Sequence, residues 1–87
     1  MGDRISHEAL VQRLADAREL VPVGSSWFHK GDPSTHYRIT GHALLQIADS
    51  TSDLSPAVLY ESPKGVLWAR PIHEFSTKFR RGGVTTT

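Results

Sequence analysis

One long stretch of alternating side chains constrains the fold of this 87-residue chain more than any other feature. Between His36 and Ile47, with Leu44 as the exception, polar residues alternate with a second set: Tyr37, Ile39, Gly41, Ala43, Leu45 and Ile47. A period of two predicts a half-buried β-strand. Fully extended, it would span about 40 Å at roughly 3.3 Å per residue, which is too long for a flat sheet in so small a domain. We therefore expect a bulge or kink at Gly41 that lets the strand serve two sides of a curled sheet.

A different periodicity precedes Pro22. Apolar residues recur there at steps of three and four, as in an amphipathic helix: Leu10, Val11, Leu14, Ala17 and Val21. Ser6 is a suitable N-cap, and Ile5 is placed to pack against Leu10 one turn later. The residue before a proline avoids the helical conformation. We predict a helix over residues 6–20.

Shorter elements follow the long strand. A strand at 57–61 and a returning strand at 66–70 flank a turn at 62–65, which has Pro at its second position and Gly at its fourth, as a type I turn prefers. We expect a helical turn at 72–75 and a last short strand at 77–79. The sequence thus predicts an antiparallel β-sheet behind one helix.

Loops and one tail complete the chain. A strand around Trp27 is expected to reach the long strand through a loop at residues 30–34. The polar segment 49–56 is expected to be an exposed, mobile loop, and residues 82–87 a disordered tail. The prediction is an α+β fold, mostly β, in a single domain over residues 1–81, with its β part at about 25–80.

Composition narrows the classes of function. The chain has no cysteine, which excludes disulfides and thiolate metal sites and fits a reducing cytoplasm. Its formal charge of +1 argues against a dedicated duplex-binding protein, which usually concentrates basic residues. It has no apolar run of membrane-spanning length, and its first residues are too charged for a signal peptide. We expect a cytoplasmic protein without a membrane partner.

Several motifs resemble one known family. The motifs that carry the resemblance are His29-Lys30, Tyr37, Gly41, Val58-Leu59-Tyr60, Leu67-Trp68-Ala69-Arg70-Pro71 and Phe75. The chain resembles a family of very short bacterial and phage domains of unknown function (domain-of-unknown-function family sixteen fifty-three). The similarity covers about residues 25–80. It implies a small curled β-domain, or an SH3-like barrel, and supplies no reaction.

Residues 67–71 carry the most specific side chains. Trp68 and Arg70 share one face of the predicted strand because side chains alternate across it. An indole beside a guanidinium fork suits a base and its phosphate. Alternatively, Trp68 packs against the core and Arg70 forms an ion pair with Glu61 or Glu74. The candidate ligand-binding residues are His29, Tyr37, Tyr60, Trp68 and Arg70.

Neither a metal site nor an active site is predicted. His36 and His42 share one strand face but lie roughly 20 Å apart along an extended chain, too far to hold one ion unless Gly41 bends the strand sharply. Asp32 lies near a Ser-Thr-His segment at 34–36, but a catalytic triad is defined by geometry in space and not by closeness in sequence. We expect no enzyme and no cofactor.

Three functions remain open. The first is a non-catalytic module that binds a small anionic or nucleotide-like molecule, and the phage members of the resembling family suggest sequestration of a signal nucleotide. The second is a protein-interaction module with an SH3-like aromatic groove. The third, disfavoured by the low charge, is binding of single-stranded nucleic acid. A homodimer through the N-terminal helix is also conceivable, because one helix leaves part of its apolar face uncovered.

Overall fold

The computed structural model describes residues 6–48 and 53–82. Its elements in chain order are α1 (His7–Leu20), β1 (Ser26–His29), β2 (Asp32–Leu44), β3 (Pro56–Glu61), β4 (Leu67–Pro71), α2 (Ile72–Lys78) and β5 (Phe79–Arg81). Three predictions fall wholly or partly outside the described residues: the contact of Ile5, the mobile loop at its residues 49–52 and the tail at its residues 83–87. The expected α+β, mostly β, architecture is confirmed.

The five strands form one antiparallel sheet in the order β4-β3-β2-β1-β5. β4 and β5 are its two edges and do not pair with each other, so the described strands form an open sheet and not a closed SH3-like barrel. The sheet is nevertheless strongly curled. The guanidinium carbon of Arg70 on β4 lies 5.8 Å from the ring centroid of Phe79 on β5, so side chains of opposite edges meet across the concave face.

Helix α1 begins and ends as its sequence predicts. The Ser6 hydroxyl accepts a hydrogen bond from the Ala9 N–H at 3.1 Å and caps the first turn. At the other end, the Val21 N–H donates to the Ala17 carbonyl at 2.9 Å. Ala17 and Val21 are buried on the concave face, which holds the helix against the sheet.

The predicted irregularity of the long strand lies where it was expected. The register between β2 and β3 shifts between Ile39 and Gly41, which is a β-bulge. Ile39 is buried on the concave face, and beyond the bulge that face is taken over by His42, which pairs with the fully buried Val58. The uniform alternation expected up to Ile47 is therefore wrong after Gly41. The bulge also explains Leu44, which breaks the alternation in the sequence: after the bulge it lies on the concave face, together with His42.

Several element boundaries differ from the predictions, and the long strand runs from Asp32 to Leu44 instead of from His36 to Ile47. The expected loop at 30–34 is a tight hairpin turn, since Asp32 already pairs with His29. Helix α2 runs to Lys78, so the last strand is Phe79–Arg81 and not 77–79. The helix continues because Phe75 is fully buried and its carbonyl accepts the N–H of Phe79.

Aromatic rings form much of the core between the concave face and the helices. Phe75 of α2 stacks on Phe79 with ring centroids 4.3 Å apart, and Tyr60 lies 5.2 Å from both rings. Gly82, expected in the tail, is buried next to Ser26 and His36 and donates its N–H to the Ser26 carbonyl at 2.7 Å. Neither helix in the described residues is long and apolar enough to cross a membrane.

Candidate binding site

A cleft of about 180 Å³ opens on the concave face of the sheet. It is lined by His29, Asp32, Tyr37, Tyr60, Trp68, Arg70 and Phe79. All five sequence-predicted site residues are therefore brought together, and every strand contributes at least one side chain. The curl of the sheet is the reason, because it turns the edge strands toward each other over the central ones.

Trp68 and Arg70 take the same face of β4, as the alternation predicted. Trp68 pairs with Tyr60 and Arg70 with Val58, and both partners on β3 are buried on the concave side. Trp68 nevertheless keeps 50% of its surface exposed. It therefore stands at the rim of the cleft with an accessible ring, instead of lying within the core.

Arg70 is held in place by three contacts. Its Nε donates to the Tyr60 hydroxyl at 3.3 Å, and its Nη1 donates to the Glu74 carboxylate at 3.3 Å. Its guanidinium also lies over the Phe79 ring. The ion pair with Glu74 that the sequence offered as the structural alternative is thus formed, whereas Glu61 pairs with Arg38 at 3.7 Å.

The floor of the cleft is a rigid set of rings. Tyr60 is 4% exposed and lies 5.4 Å from Tyr37 and 5.2 Å from Phe79, in edge-to-face arrangements. Such pairs add about 0.5 to 1.5 kcal/mol beyond the burial of the rings. Phe79 is a site residue that the sequence did not reveal, because nothing local indicates that β5 returns beside β1.

His29 and Asp32 form the other side of the cleft, at the turn between β1 and β2. His29 Nδ1 accepts the Gly31 N–H at 2.9 Å, and the imidazole meets the edge of Phe79 at 5.2 Å. A neutral ring therefore carries its proton on Nε2.

Asp32 is the second residue of the cleft that the sequence reasoning missed as a site residue. Its carboxylate accepts the hydroxyls of Ser34 at 2.7 Å and Thr35 at 3.0 Å. These two hydrogen bonds, with a smaller contribution from the charge of His29, lower the pKa of Asp32. The signal that would have found it is the Lys-Gly pair at 30–31, since a two-residue hairpin turn places Asp32 opposite His29.

The arrangement combines flat apolar walls with a few fixed polar groups, which is the composition of a small-molecule site. Its polar groups include the guanidinium of Arg70, the carboxylate of Asp32 and the imidazole of His29. In the described part of the chain, no three His, Asp or Glu side chains are grouped so that they could hold a metal ion.

Comparison of this chain with protein-family models, curated proteins and solved structures gives no match. The resemblance of residues 25–80 to the short bacterial and phage domains therefore stays a prediction. The function has to be inferred from the chemistry of the cleft.

Proposed function

We propose that this chain is a non-catalytic binding module that holds a small anionic, nucleotide-like molecule in the cleft. The observation that carries the proposal is the fixed guanidinium of Arg70 beside the half-exposed ring of Trp68, above a floor of buried aromatic rings. The volume of the cleft, about 180 Å³, is below the roughly 300 to 1,000 Å³ of sites that enclose a whole drug-sized ligand. The cleft therefore suits one ring or one anionic group of a ligand that remains partly outside.

In the proposed complex, the base stacks on Trp68 and the phosphate meets Arg70. Arg70 uses Nε and Nη1 for its hydrogen bonds to Tyr60 and Glu74, which leaves Nη2 without a partner among the described residues. A guanidinium held by packing and hydrogen bonds is preorganised for an anion, because little further side-chain entropy is lost on binding. Glu74 competes with the ligand for the same cation.

Calorimetry and thermal-shift measurements with nucleotides, cyclic dinucleotides and nucleotide sugars test the proposal. Stacking of a base on an aromatic side chain is worth about 1 to 3 kcal/mol, so Trp68→Ala should weaken binding about fivefold or more. Val23→Ala is the control, because Val23 is 58% exposed and does not line the cleft. If no ligand stabilises the chain, or if Trp68→Ala binds as tightly as Val23→Ala, the proposal fails.

Glu74→Gln separates a binding role of Arg70 from a purely structural one. The exposed ion pair with Glu74 is worth about 0.5 kcal/mol, so removal of its negative charge should roughly double the affinity for an anion. Arg70→Ala should abolish the same binding. A merely structural Arg70 would instead make both variants less stable and shift the affinity of both in the same direction.

A protein-interaction module is the second candidate. The observation in its favour is that Trp68 lies at an open rim, where a Pro-rich or extended segment could lie across the rings. A stoichiometric peptide or protein partner together with an empty ligand screen would favour it. Binding of single-stranded nucleic acid, with an affinity that falls steeply as salt is added, would instead favour the third candidate.

A cytoplasmic location is part of the proposal. It rests on the absence of cysteine, which suits a reducing compartment.

A further inference from the structure

The edge strand β4 is protected at its C-terminal end, where Pro71 has no N–H to donate, but not in its N-terminal half. Among the described strands it pairs only with β3, and three consecutive apolar residues around its start are exposed by 49 to 61%: Val66, which directly precedes the strand, Leu67 and Trp68. Natural sheets usually protect an edge with charged residues, a proline, a bulge or a very short strand. The opposite edge, β5, has such protection, since it has three residues and two of them are the exposed Arg80 and Arg81.

The hydrogen-bond pattern shows which backbone groups of β4 are free. The Ser62 N–H donates to the Val66 carbonyl at 2.9 Å, and hydrogen-bonded pairs recur at every second residue of an antiparallel ladder. Trp68 and Arg70 therefore bond to β3. Leu67 and Ala69, between them, direct their N–H and C=O groups away from the sheet.

We propose that β4 pairs with β4 of a second copy of this chain, in antiparallel orientation about a two-fold axis at Trp68. Leu67 then faces the partner's Ala69, and Ala69 faces the partner's Leu67, so four main-chain hydrogen bonds form. Trp68 faces the partner's Trp68 as a non-hydrogen-bonded pair, whose Cα atoms are about 4.5 Å apart.

A second copy fits this edge because the strand is complementary to itself. The large Leu67 meets the small Ala69 on the outer face of the sheet, and the two indoles meet on the concave face, where aromatic cross-strand pairs are stabilising. Arg70 faces the partner's Val66, so no like charges are opposed. An isologous contact of this kind closes at two copies.

The pairing would change the cleft, although the inference rests on the strand edge and not on the proposed ligand. The partner's Trp68 would join the rim beside Trp68, and the two clefts would open on the same face of a continuous sheet. The contact follows a strand of five residues, about 17 Å long at roughly 3.4 Å per residue. Interfaces that short bury less than the usual area, so the dimer should form reversibly as the chain concentration rises.

Sedimentation equilibrium and amide hydrogen exchange over a range of chain concentrations test the pairing. The expected result is a monomer–dimer equilibrium in which the Leu67 and Ala69 amides become protected only at high concentration. The Trp68 and Arg70 amides should be protected throughout, because β3 already binds them. A monomer at all concentrations, or protection that rises in α1 instead of β4, would overturn the inference.

Leu67→Lys supplies the mutational test. A lysine at this position removes the contact that Leu67 would make with the partner's Ala69 in the dimer, and it should weaken dimerisation about tenfold. Val11→Lys is the control, since Val11 on α1 is similarly exposed but far from the edge in the fold. Equal loss in the two variants, or loss only in Val11→Lys, would contradict pairing through β4.

The register can be tested separately because the chain contains no cysteine. Under oxidising conditions, Trp68→Cys should give a disulfide-linked dimer and Ala69→Cys should not. The reverse result would place the axis at Ala69 and refute the register proposed.

Discussion

Replacement of Phe75 by leucine is the sharpest test of how this small fold is held together. Phe75 is the one buried side chain of α2 and is fully inaccessible. It stacks on Phe79 at 4.3 Å with an angle of 7° between the rings, and it lies 5.2 Å from both Tyr60 and Trp27. The ring thus joins α2 to three strands and supports the floor of the cleft.

The expected cost follows from these contacts. Leucine retains much of the apolar volume but loses three ring–ring contacts, each worth about 0.5 to 1.5 kcal/mol and not fully additive. We expect the free energy of unfolding to fall by about 2 kcal/mol. Truncation to alanine would cost about 3 to 5 kcal/mol, a large part of the roughly 4 to 13 kcal/mol typical for a domain of this length.

Urea unfolding followed by tryptophan fluorescence measures this loss. The midpoint should decrease without a change in the slope, and the melting temperature should fall by about 8 to 16 °C. Val11→Ala, at a half-exposed position of α1, should change the stability by no more than about 0.5 kcal/mol. A loss at Phe75 as small as that of the control would refute the view that the aromatic cluster is the main core.

Two further predictions concern stability. His42 donates from Nε2 to the Val21 carbonyl at 2.7 Å, its Nδ1 is buried without a partner among the described residues, and desolvation lowers its pKa below the usual 6.5. As the pH falls, His42 is therefore protonated in the unfolded chain before it is protonated in the folded chain, and the free energy of unfolding should decrease below a pH of about 6.5. His42→Leu should remove this part of the pH dependence measured by urea unfolding. If the free energy of unfolding of the variant depends on pH as strongly as that of the original chain, the prediction is contradicted. Gly65 has a φ of +89°, so Gly65→Ala should cost about 1 kcal/mol or more, whereas Gly41→Ala should be nearly neutral because its Cβ would only reach Leu59 Cδ1 at 3.7 Å. Equal losses for the two glycine variants would show that the turn does not need the left-handed conformation.

The site could be predicted further than is usual for a short chain. The alternation of side chains was enough to place Trp68 and Arg70 on one face, and the structure brings them to one cleft with Tyr37, Tyr60 and His29. Their role stays a proposal. Asp32 was missed because the turn between β1 and β2 is shorter than expected, so that Asp32 lies opposite His29. Phe79 was missed because β5 returns to pair with β1, a segment far away in the sequence.

The sequence by itself determined the local elements of this protein. The helix, its Ser6 cap, the bulge near Gly41 and the antiparallel pair β3–β4 follow from periodicity and turn chemistry, which act over a few residues. The tertiary structure decided what periodicity cannot encode. The bulge reverses which side chains face the core after Gly41, and curling brings Arg70 of one edge over Phe79 of the other. Both effects depend on pairing and burial between distant segments, and so the cleft and the free edge of β4 exist only in the folded chain.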